Sequence, residues 1–310
     1  MKTIHDILTH GVQKLEEASV DTPKLDAEVL LSHVLRIKRF DLILKRDKAI
    51  SEEHHARFSK LLDERVHRRP VSQLVGMREF WSLPITVNEH VLTPRPETEG
   101  IVEFSLERFP KDAKLNILDL CTGSGCITAA LATEFCNARI TATDISPKAL
   151  EVARENLAFA SDRVELLEGN LFEPICHCEE RKRRSNLGVK NEIAMSASRP
   201  PRDDNQGLFD LIVSNPPYIS EDDYCTLPPE VRDYEPVEAL EAGRDGLAIL
   251  SKIAQYAPRY INSGGWLVLE IGMGQARAVS EMLLDTEEFS RIEVRRDLAG
   301  IERIVGGKKQ

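Results

Sequence analysis

The chain has 310 residues and a formal net charge of −10 at pH 7. This length allows two domains, each with its own core, and the acidic balance argues against nonspecific nucleic-acid binding. No apolar run reaches membrane-spanning length, the N-terminus lacks the apolar core of a signal peptide, and the six cysteines lack disulfide or zinc spacing, so we expect a reducing, cytoplasmic location.

Residues 1–70 are predicted to form a small helical domain. Thr3, Thr22 and Ser51 each stand where a helix can begin, and apolar residues follow each of them at helical spacing. These apolar stripes are the expected core of the domain.

Residues 71–94 are predicted to be a linker, in which strands at 78–81 and 85–88 make a β-hairpin. The rest of the chain, 95–310, is predicted to be one larger α/β domain.

This larger domain is predicted to begin its sheet with a strand, a tight turn and a helix. The strand runs from Asn116 to Leu120 and the helix from Cys126 to Phe135. Gly123 and Gly125 between them allow a tight turn and the close approach of a ligand. The dinucleotide fingerprint is incomplete, because Thr128 stands where its third glycine would be.

The next two predicted strands also end in polar residues. The second, Ala138 to Asp144, ends in a carboxylate that suits ribose hydroxyls, in a dinucleotide or in S-adenosylmethionine. The third runs from Val164 to Glu168. Asn170 and Phe172 follow it, where an adenine could be hydrogen-bonded and stacked.

The tetrapeptide Asn215-Pro216-Pro217-Tyr218, here called the clamp, follows a predicted buried strand at 209–214. The prolines end the strand and hold the Asn215 side chain outward. The Asn215 amide and the Pro216 carbonyl can accept both N–H groups of a planar –NH2 group, and the Tyr218 ring can cover its face. All four residues are therefore predicted to bind the substrate, with Asn215, Pro216 and Tyr218 as the catalytic residues.

Asp119 favours S-adenosylmethionine over NAD, because a carboxylate there would repel a pyrophosphate and pair with an α-ammonium group. The predicted reaction is a direct methyl transfer to a weak nitrogen nucleophile, either an amide or a nucleobase amine. The predicted cofactor-binding residues are Asp119, Cys121, Thr122, Gly123, Ser124, Gly125, Asp144, Asn170, Phe172 and Asn215.

Five further stretches carry a family resemblance. They are Leu92-Thr93-Pro94-Arg95-Pro96-Glu97-Thr98-Glu99, Glu230-Val231-Arg232-Asp233-Tyr234-Glu235-Pro236, Ala239-Leu240-Glu241-Ala242-Gly243-Arg244-Asp245-Gly246-Leu247, Leu269-Glu270-Ile271-Gly272 and Asp297-Leu298-Ala299-Gly300. With the clamp, they make nearly the whole chain resemble the protein-(glutamine-N5) methyltransferases, the HemK/PrmC family. Cys121 in place of Gly, Asn170 in place of Asp and a long insertion after Pro174 depart from the family pattern.

The resemblance implies a Rossmann-like class I methyltransferase sheet with helices on both faces, and S-adenosylmethionine as the cofactor. It further implies N5-methylation of a glutamine in class I peptide chain release factors, which act in translation termination, with the helical domain gripping the release factor. We expect a monomer that makes no direct contact with nucleic acid or membrane.

Three alternatives remain at this point. A ribosomal-protein glutamine methyltransferase would use the same clamp. An amino-directed nucleic-acid methyltransferase acting on adenine or guanine would need a basic groove and base flipping, which the acidic balance disfavours. A cofactor-binding scaffold without activity is disfavoured by the intact clamp.

The insertion at 175–207 is basic and polar, without apolar periodicity, and we expect a flexible surface loop that catalysis does not need. Cys176-His177-Cys178 lacks a distant second ligand cluster and makes a poor zinc site, so no metal is predicted. RNA binding by the basic run at 181–184 is a further alternative.

Overall fold

A computed structural model describes residues 2–175 and 209–310 of the protein. The flexible insertion predicted at 175–207 therefore lies, apart from Ile175, outside the described residues. Within the two described ranges, no helix is both long enough and apolar enough to cross a membrane.

Five helices form the first part of the chain: α1 (Ile4–Glu17), α2 (Pro23–Leu35), α3 (Arg39–Leu44), α4 (Glu52–Val66) and α5 (Val71–Val75). Thr3 caps α1 and Ser51 caps α4, so both predicted helix starts are confirmed. Thr22 differs, because its hydroxyl donates to Asp26 Oδ1 (2.7 Å) instead of capping α2. The apolar faces of these helices form a core separate from the cores of the sheet.

A β-hairpin follows, made of strands β1 (Met77–Phe80) and β2 (Leu83–Thr86). Its turn consists of Trp81 and Ser82, both at positive φ, and each strand lies slightly earlier in the chain than predicted. The Thr86 backbone exchanges two hydrogen bonds with the side chain of Asn156 (2.8 and 3.0 Å). The hairpin is therefore fixed to the α/β part of the chain.

The main sheet has seven strands: β3 (Asn116–Leu120), β4 (Arg139–Asp144), β5 (Val164–Glu168), β6 (Phe209–Ser214), β7 (Ile261–Glu270), β8 (Phe289–Arg296) and β9 (Glu302–Lys309). Their order is β5-β4-β3-β6-β7-β9-β8; the first five are mutually parallel, and β9 is antiparallel to both neighbours. The helices around it are α6 (Glu99–Leu106), α7 (Cys126–Glu134), α8 (Pro147–Asn156), α9 (Glu221–Tyr224), α10 (Pro229–Arg232), α11 (Ala248–Tyr256) and α12 (Ala276–Asp285).

Successive residues of the central strands enter cores on opposite faces of this sheet. Ile117 and Leu211 belong to one core, whereas their chain neighbours Leu118 and Ile212 belong to the other. Both faces must therefore be covered by helices, as is usual for parallel strands. The predicted Rossmann-like sheet is confirmed.

The order of the strands fixes where a ligand can bind. The chain passes from β3 to β4 on one side and returns to β6 on the other, which leaves a crevice at the carboxyl ends of these strands. Leu120 pairs with Ser214, whose hydroxyl donates to the Leu120 carbonyl (2.8 Å). The turn after β3 and the clamp after β6 therefore emerge side by side.

Ion pairs connect the N-terminal helices to the segment beyond the clamp. Arg65, buried on α4, donates to Asp26 Oδ2 (2.7 Å) and to Glu230 Oε1 (3.2 Å), and Arg68 donates to the same Glu230 oxygen (3.0 Å). Gln73 Nε2 donates to the Tyr234 carbonyl (2.8 Å). One family-like stretch, 230–236, is thus an attachment point of the helical part.

We expect Glu230→Ala to destabilise the protein by roughly 2–3 kcal/mol, because it removes one partner of a largely buried ion-pair network while Asp26 still pairs with Arg65. Thermal unfolding followed by circular dichroism measures this effect. The matched control is Glu151→Ala, which changes an exposed glutamate on α8. Equal melting temperatures for the two variants would contradict the structural role of Glu230.

Candidate active site

A cavity of about 730 Å³ lies at the carboxyl edge of the sheet. The predicted site residues that line it are Cys121, Thr122, Gly123, Ser124, Asp144, Asn170, Asn215 and Pro217. The predicted residues that do not line it are Asp119, Gly125, Phe172, Pro216 and Tyr218. The structure thus brings the turn after β3, the end of β4 and the clamp to one space.

Asp144 at the end of β4 holds the loops around this space. Its Oδ2 accepts from the Gly123 N–H (2.8 Å) and its Oδ1 accepts from the Ser146 N–H (2.9 Å). Burial raises the pKa of Asp144, although these backbone hydrogen bonds favour the ionised form. Ile145, largely exposed, adds an apolar surface beside the carboxylate on the cavity wall.

Asp119 lies beneath the turn and not on the cavity wall. It is fully buried, and its Oδ2 accepts from the hydroxyls of Thr122 (2.6 Å) and Thr128 (2.7 Å). Its Oδ1 has no hydrogen-bond partner among the described residues. Burial raises the pKa of Asp119 to about 6, against the threonine hydrogen bonds, and the nearby Asp144 charge adds to the rise. Thr128, which interrupts the glycine pattern, therefore orients this carboxylate.

Three residues of the turn have a positive φ: Cys121, Gly123 and Gly125. Cys121 has φ +58, a conformation that favours glycine. Burial raises the pKa of its thiol, which stays neutral and is a poor nucleophile. Gly125 has φ +77, and a Cβ there would lie 3.2 Å from Ala153 Cβ. Gly125 therefore packs closely against α8 and does not line the cavity.

Phe172 also takes a different position from the predicted one. Its ring is buried and stacks on Tyr260, with ring centroids 4.6 Å apart and an interplanar angle of 9°. The aromatic ring therefore packs in the core beside β7. The apolar lining at this end of the cavity comes from Leu171 and Ile145, next to Asn170.

The clamp presents Asn215 to the cavity in a fixed orientation. Asn215 Nδ2 donates to Thr98 Oγ1 (3.2 Å), and Oδ1 has no partner among the described residues. Pro216 is buried, and its carbonyl oxygen likewise has no backbone or side-chain partner in the described ranges. Two unpaired acceptors thus stand next to each other along the chain at the end of β6.

Two side chains outside the cavity wall fix the position of Tyr218. Its hydroxyl donates to Glu270 Oε1 (3.2 Å), and its carbonyl accepts from Gln275 Nε2 (2.9 Å). Burial, followed by the charge of Glu270, raises the pKa of the Tyr218 phenol, which stays protonated. The Tyr218 ring, which is predicted to cover the face of the substrate group, does not line the cavity.

The segment 239–247, here called the brace, pairs with the chain just after the clamp. The Ile219 N–H donates to the Leu240 carbonyl, and the Ala242 N–H donates to the Ile219 carbonyl, both at 2.9 Å. Gly246 has φ +72, and a Cβ there would overlap the Tyr218 carbonyl oxygen. This glycine is what allows the brace to approach the clamp.

The other wall of the cavity is held by a buried acid. Glu235 accepts from the Thr93 N–H (3.4 Å) and from Arg95 Nη2 (2.6 Å), and both oxygens are used. Burial raises the pKa of Glu235, although the Arg95 charge opposes the rise. The family-like stretches 92–99 and 230–236 are thus joined by one carboxylate.

Sequence reasoning missed the side chains that orient the clamp, namely Thr98, Glu270 and Gln275. Thr98 and Glu270 do lie in stretches that the resemblance singled out, which was the available signal. No group of three or more His, Cys, Asp or Glu in the described part of the chain could hold a metal ion.

Comparisons with known proteins find relatives that match nearly the whole chain. Residues 6–76 match the PrmC N-terminal domain, and residues 117–183 match a methyltransferase domain. The release factor glutamine methyltransferase of Geobacter sulfurreducens is 39% identical over 306 residues, which cover 99% of this chain and 96% of that protein. The protein of the same name from Cereibacter sphaeroides is 38% identical, over 98% and 97%.

A solved structure supports the fold alone. The catalytic domain of hMettl16, in complex with MAT2A 3′UTR hairpin 1, superposes with a TM-score of 0.53 at 13% identity, over 79% of this chain and 80% of that chain.

We expect Gly246→Ala to cost about 1–3 kcal/mol more stability than Gly243→Ala, because overpacking against the Tyr218 backbone adds to the backbone strain. Gly243 is the matched control: its φ is also positive (+80), but a Cβ there would meet Ala248 Cβ at an ordinary 3.6 Å. Thermal unfolding of the two variants tests this. If the two variants unfold at the same temperature, the close approach does not matter.

Proposed function

Because the chain belongs to the family of release factor glutamine methyltransferases, we propose that it transfers a methyl group from S-adenosylmethionine to the side-chain nitrogen of a glutamine in a class I peptide chain release factor. It is an enzyme, a protein-glutamine N-methyltransferase. The observation that carries the substrate assignment is the orientation of Asn215 on the cavity wall: Nδ2 donates to Thr98, and Oδ1 has no partner within the described ranges.

The cavity residues fit S-adenosylmethionine, which when bound supplies an electrophilic methyl group on a sulfonium ion. The Asp144 oxygens each accept one backbone N–H and have further lone pairs for ribose hydroxyls. Asn170 on the cavity wall offers an amide to the adenine. Asp119 does not line the cavity, but its buried carboxylate, whose Oδ1 has no partner among the described residues, would attract an ammonium group bound above the turn.

The clamp would bind the glutamine amide through its two N–H groups. Asn215 Oδ1 and the Pro216 carbonyl are acceptors only, so they select an –NH2 group and reject the carbonyl end of the amide. With both protons engaged, the nitrogen lone pair is directed away from the clamp, toward the incoming methyl.

An amide nitrogen is a poor nucleophile because its lone pair is delocalised. Orientation of the nitrogen and stabilisation of its developing positive charge by the two acceptor oxygens must therefore supply most of the catalysis. The nitrogen gains the methyl group, becomes cationic and acidic, and then releases one proton, which requires no strong base at the clamp.

The helical part of the chain, predicted as residues 1–70, is proposed to dock the release factor, and residues 95–310 to carry the chemistry. The Arg65–Glu230 pairs support this division of labour, because they hold the helices beside the clamp. Three large apolar side chains of α3 are about two-thirds exposed and offer contact area: Phe40, Ile43 and Leu44.

The test is to incubate the protein with methyl-labelled S-adenosylmethionine and a purified class I release factor, and to map the label by peptide mass spectrometry. We expect one label on a glutamine side chain. Asn215→Ala should lower the rate by on the order of 10²–10³, the usual effect of losing one oriented transition-state contact, while calorimetry shows unchanged binding of S-adenosylhomocysteine.

The matched control is Asn137→Ala, which changes an exposed asparagine that donates to the Asp112 carbonyl away from the cavity. Its rate should equal that of the wild type. Label on ribosomal proteins or DNA in place of the release factor would refute the proposed substrate, and a fully active Asn215→Ala would refute the clamp.

A further inference from the structure

Glu270 is a buried carboxylate next to the clamp that the proposed reaction leaves without a role. It ends β7, which pairs with β6 so that Leu269 lies opposite Ser214, and it is 1% exposed. The residue is therefore placed beside Asn215 at the carboxyl edge of the sheet, out of reach of water and of the cavity.

Glu270 lies near residues that contact both ends of the clamp. Tyr218 Oη donates to Glu270 Oε1 (3.2 Å), and the Thr98 hydroxyl lies close enough to this carboxylate to lower its pKa. Oε2 has no hydrogen-bond partner among the described residues. Since Thr98 Oγ1 is the atom that accepts from Asn215 Nδ2, Glu270 is connected to Asn215 through a single hydroxyl.

A hydroxyl has one proton, and this gives the connection a direction. Thr98 Oγ1 already accepts from Asn215, so its own proton is free to point at Glu270. An ionised carboxylate can only accept. The Glu270 carboxylate can therefore accept the Tyr218 proton on Oε1 and the Thr98 proton on its unpartnered Oε2, which leaves Thr98 as an acceptor toward Asn215.

On these contacts, and on the proposed function, we propose that Glu270 is a positioning residue whose ionised carboxylate, through Thr98, makes Asn215 present its oxygen to the substrate amide. A neutral group at this position offers a donor as well as an acceptor. If Thr98 accepts from that donor, it turns its proton toward Asn215, which must then flip and present N–H groups to an –NH2 substrate.

The charge of Glu270 is only partly compensated. The charged and titratable groups around it are Glu97, Cys126, Tyr218 and Arg303. Arg303 Nε donates to Asp297 Oδ2 (3.3 Å), and Asp297 belongs to the last of the family-like stretches, 297–300. Burial raises the pKa of Glu270 to about 7, while the hydrogen bonds from Thr98 and Tyr218 and the Arg303 charge lower it.

The raised pKa of Glu270 determines how stability and the methyl-transfer rate change with pH. The Glu270 pKa is raised from 4.5 in a solvated chain to about 7. Compared with the unfolded chain, the folded protein favours the neutral form of Glu270. The resulting contribution to the free energy of unfolding is fully present below pH 4.5 and is lost as the pH rises through about 7. The ionised form needed for the clamp therefore accumulates at the expense of stability, and the methyl-transfer rate should rise with pH through the same range.

The experiment measures single-turnover methylation of a class I release factor between pH 6 and 9, at saturating S-adenosylmethionine so that Asp119 and Asp144 do not contribute through cofactor binding. The wild-type rate should rise with one ionisation near pH 7. Glu270→Gln, nearly isosteric, should give a flat profile and a rate at pH 8.5 lower by on the order of 10- to 100-fold. Its S-adenosylhomocysteine affinity should be unchanged and its melting temperature at pH 8.5 not lower.

His90→Gln is the control for the profile, because it removes an imidazole from the cavity wall; its rate should keep the wild-type slope. A Glu270→Gln enzyme with the wild-type rate and slope would overturn the proposal, as would loss of the slope in His90→Gln. If Glu270→Gln does not fold, a flat wild-type profile overturns it. A wild-type protein that methylates no release factor would instead refute the proposed function.

Discussion

The hydrogen bond from Asn215 Nδ2 to Thr98 Oγ1 is the contact on which the site depends. A primary amide has a donor end and an acceptor end of almost identical shape, and the two ends have opposite effects on an –NH2 substrate. With one Nδ2 N–H engaged at 3.2 Å, the amide is held in one orientation, and its oxygen has no partner among the described residues. The chemistry assigned to the clamp therefore rests on a residue 117 positions earlier in the chain.

Several distant stretches of sequence serve to hold that contact. The parallel register of β3, β6 and β7 brings their carboxyl ends to one edge. The brace supports the chain after Tyr218, and Gly246 permits its close approach. Glu235 fixes the segment that contains Thr98 by binding Arg95. Several of the stretches that carry the family resemblance are thus supports of the clamp.

The sequence was sufficient for the features that depend on local rules. Strand ends, the glycine turn, the carboxylate of Asp144 and the outward Asn215 follow from chain order and from proline and glycine chemistry. Features that depend on a distant partner were missed. Phe172 stacks on Tyr260, which no local pattern indicates, and Asp119 lies under the turn because Thr122 and Thr128 bind it there.

The central claim is that the Thr98 hydroxyl orients Asn215, and its most direct test is the single-turnover methylation rate of Thr98→Val and Thr98→Ser. Valine keeps the shape and removes the hydroxyl, so the account predicts a loss on the order of 10- to 100-fold, with unchanged binding of S-adenosylhomocysteine. Serine restores the hydroxyl and should recover most of the rate. A Thr98→Val enzyme that methylates the release factor as fast as the wild type would contradict the account.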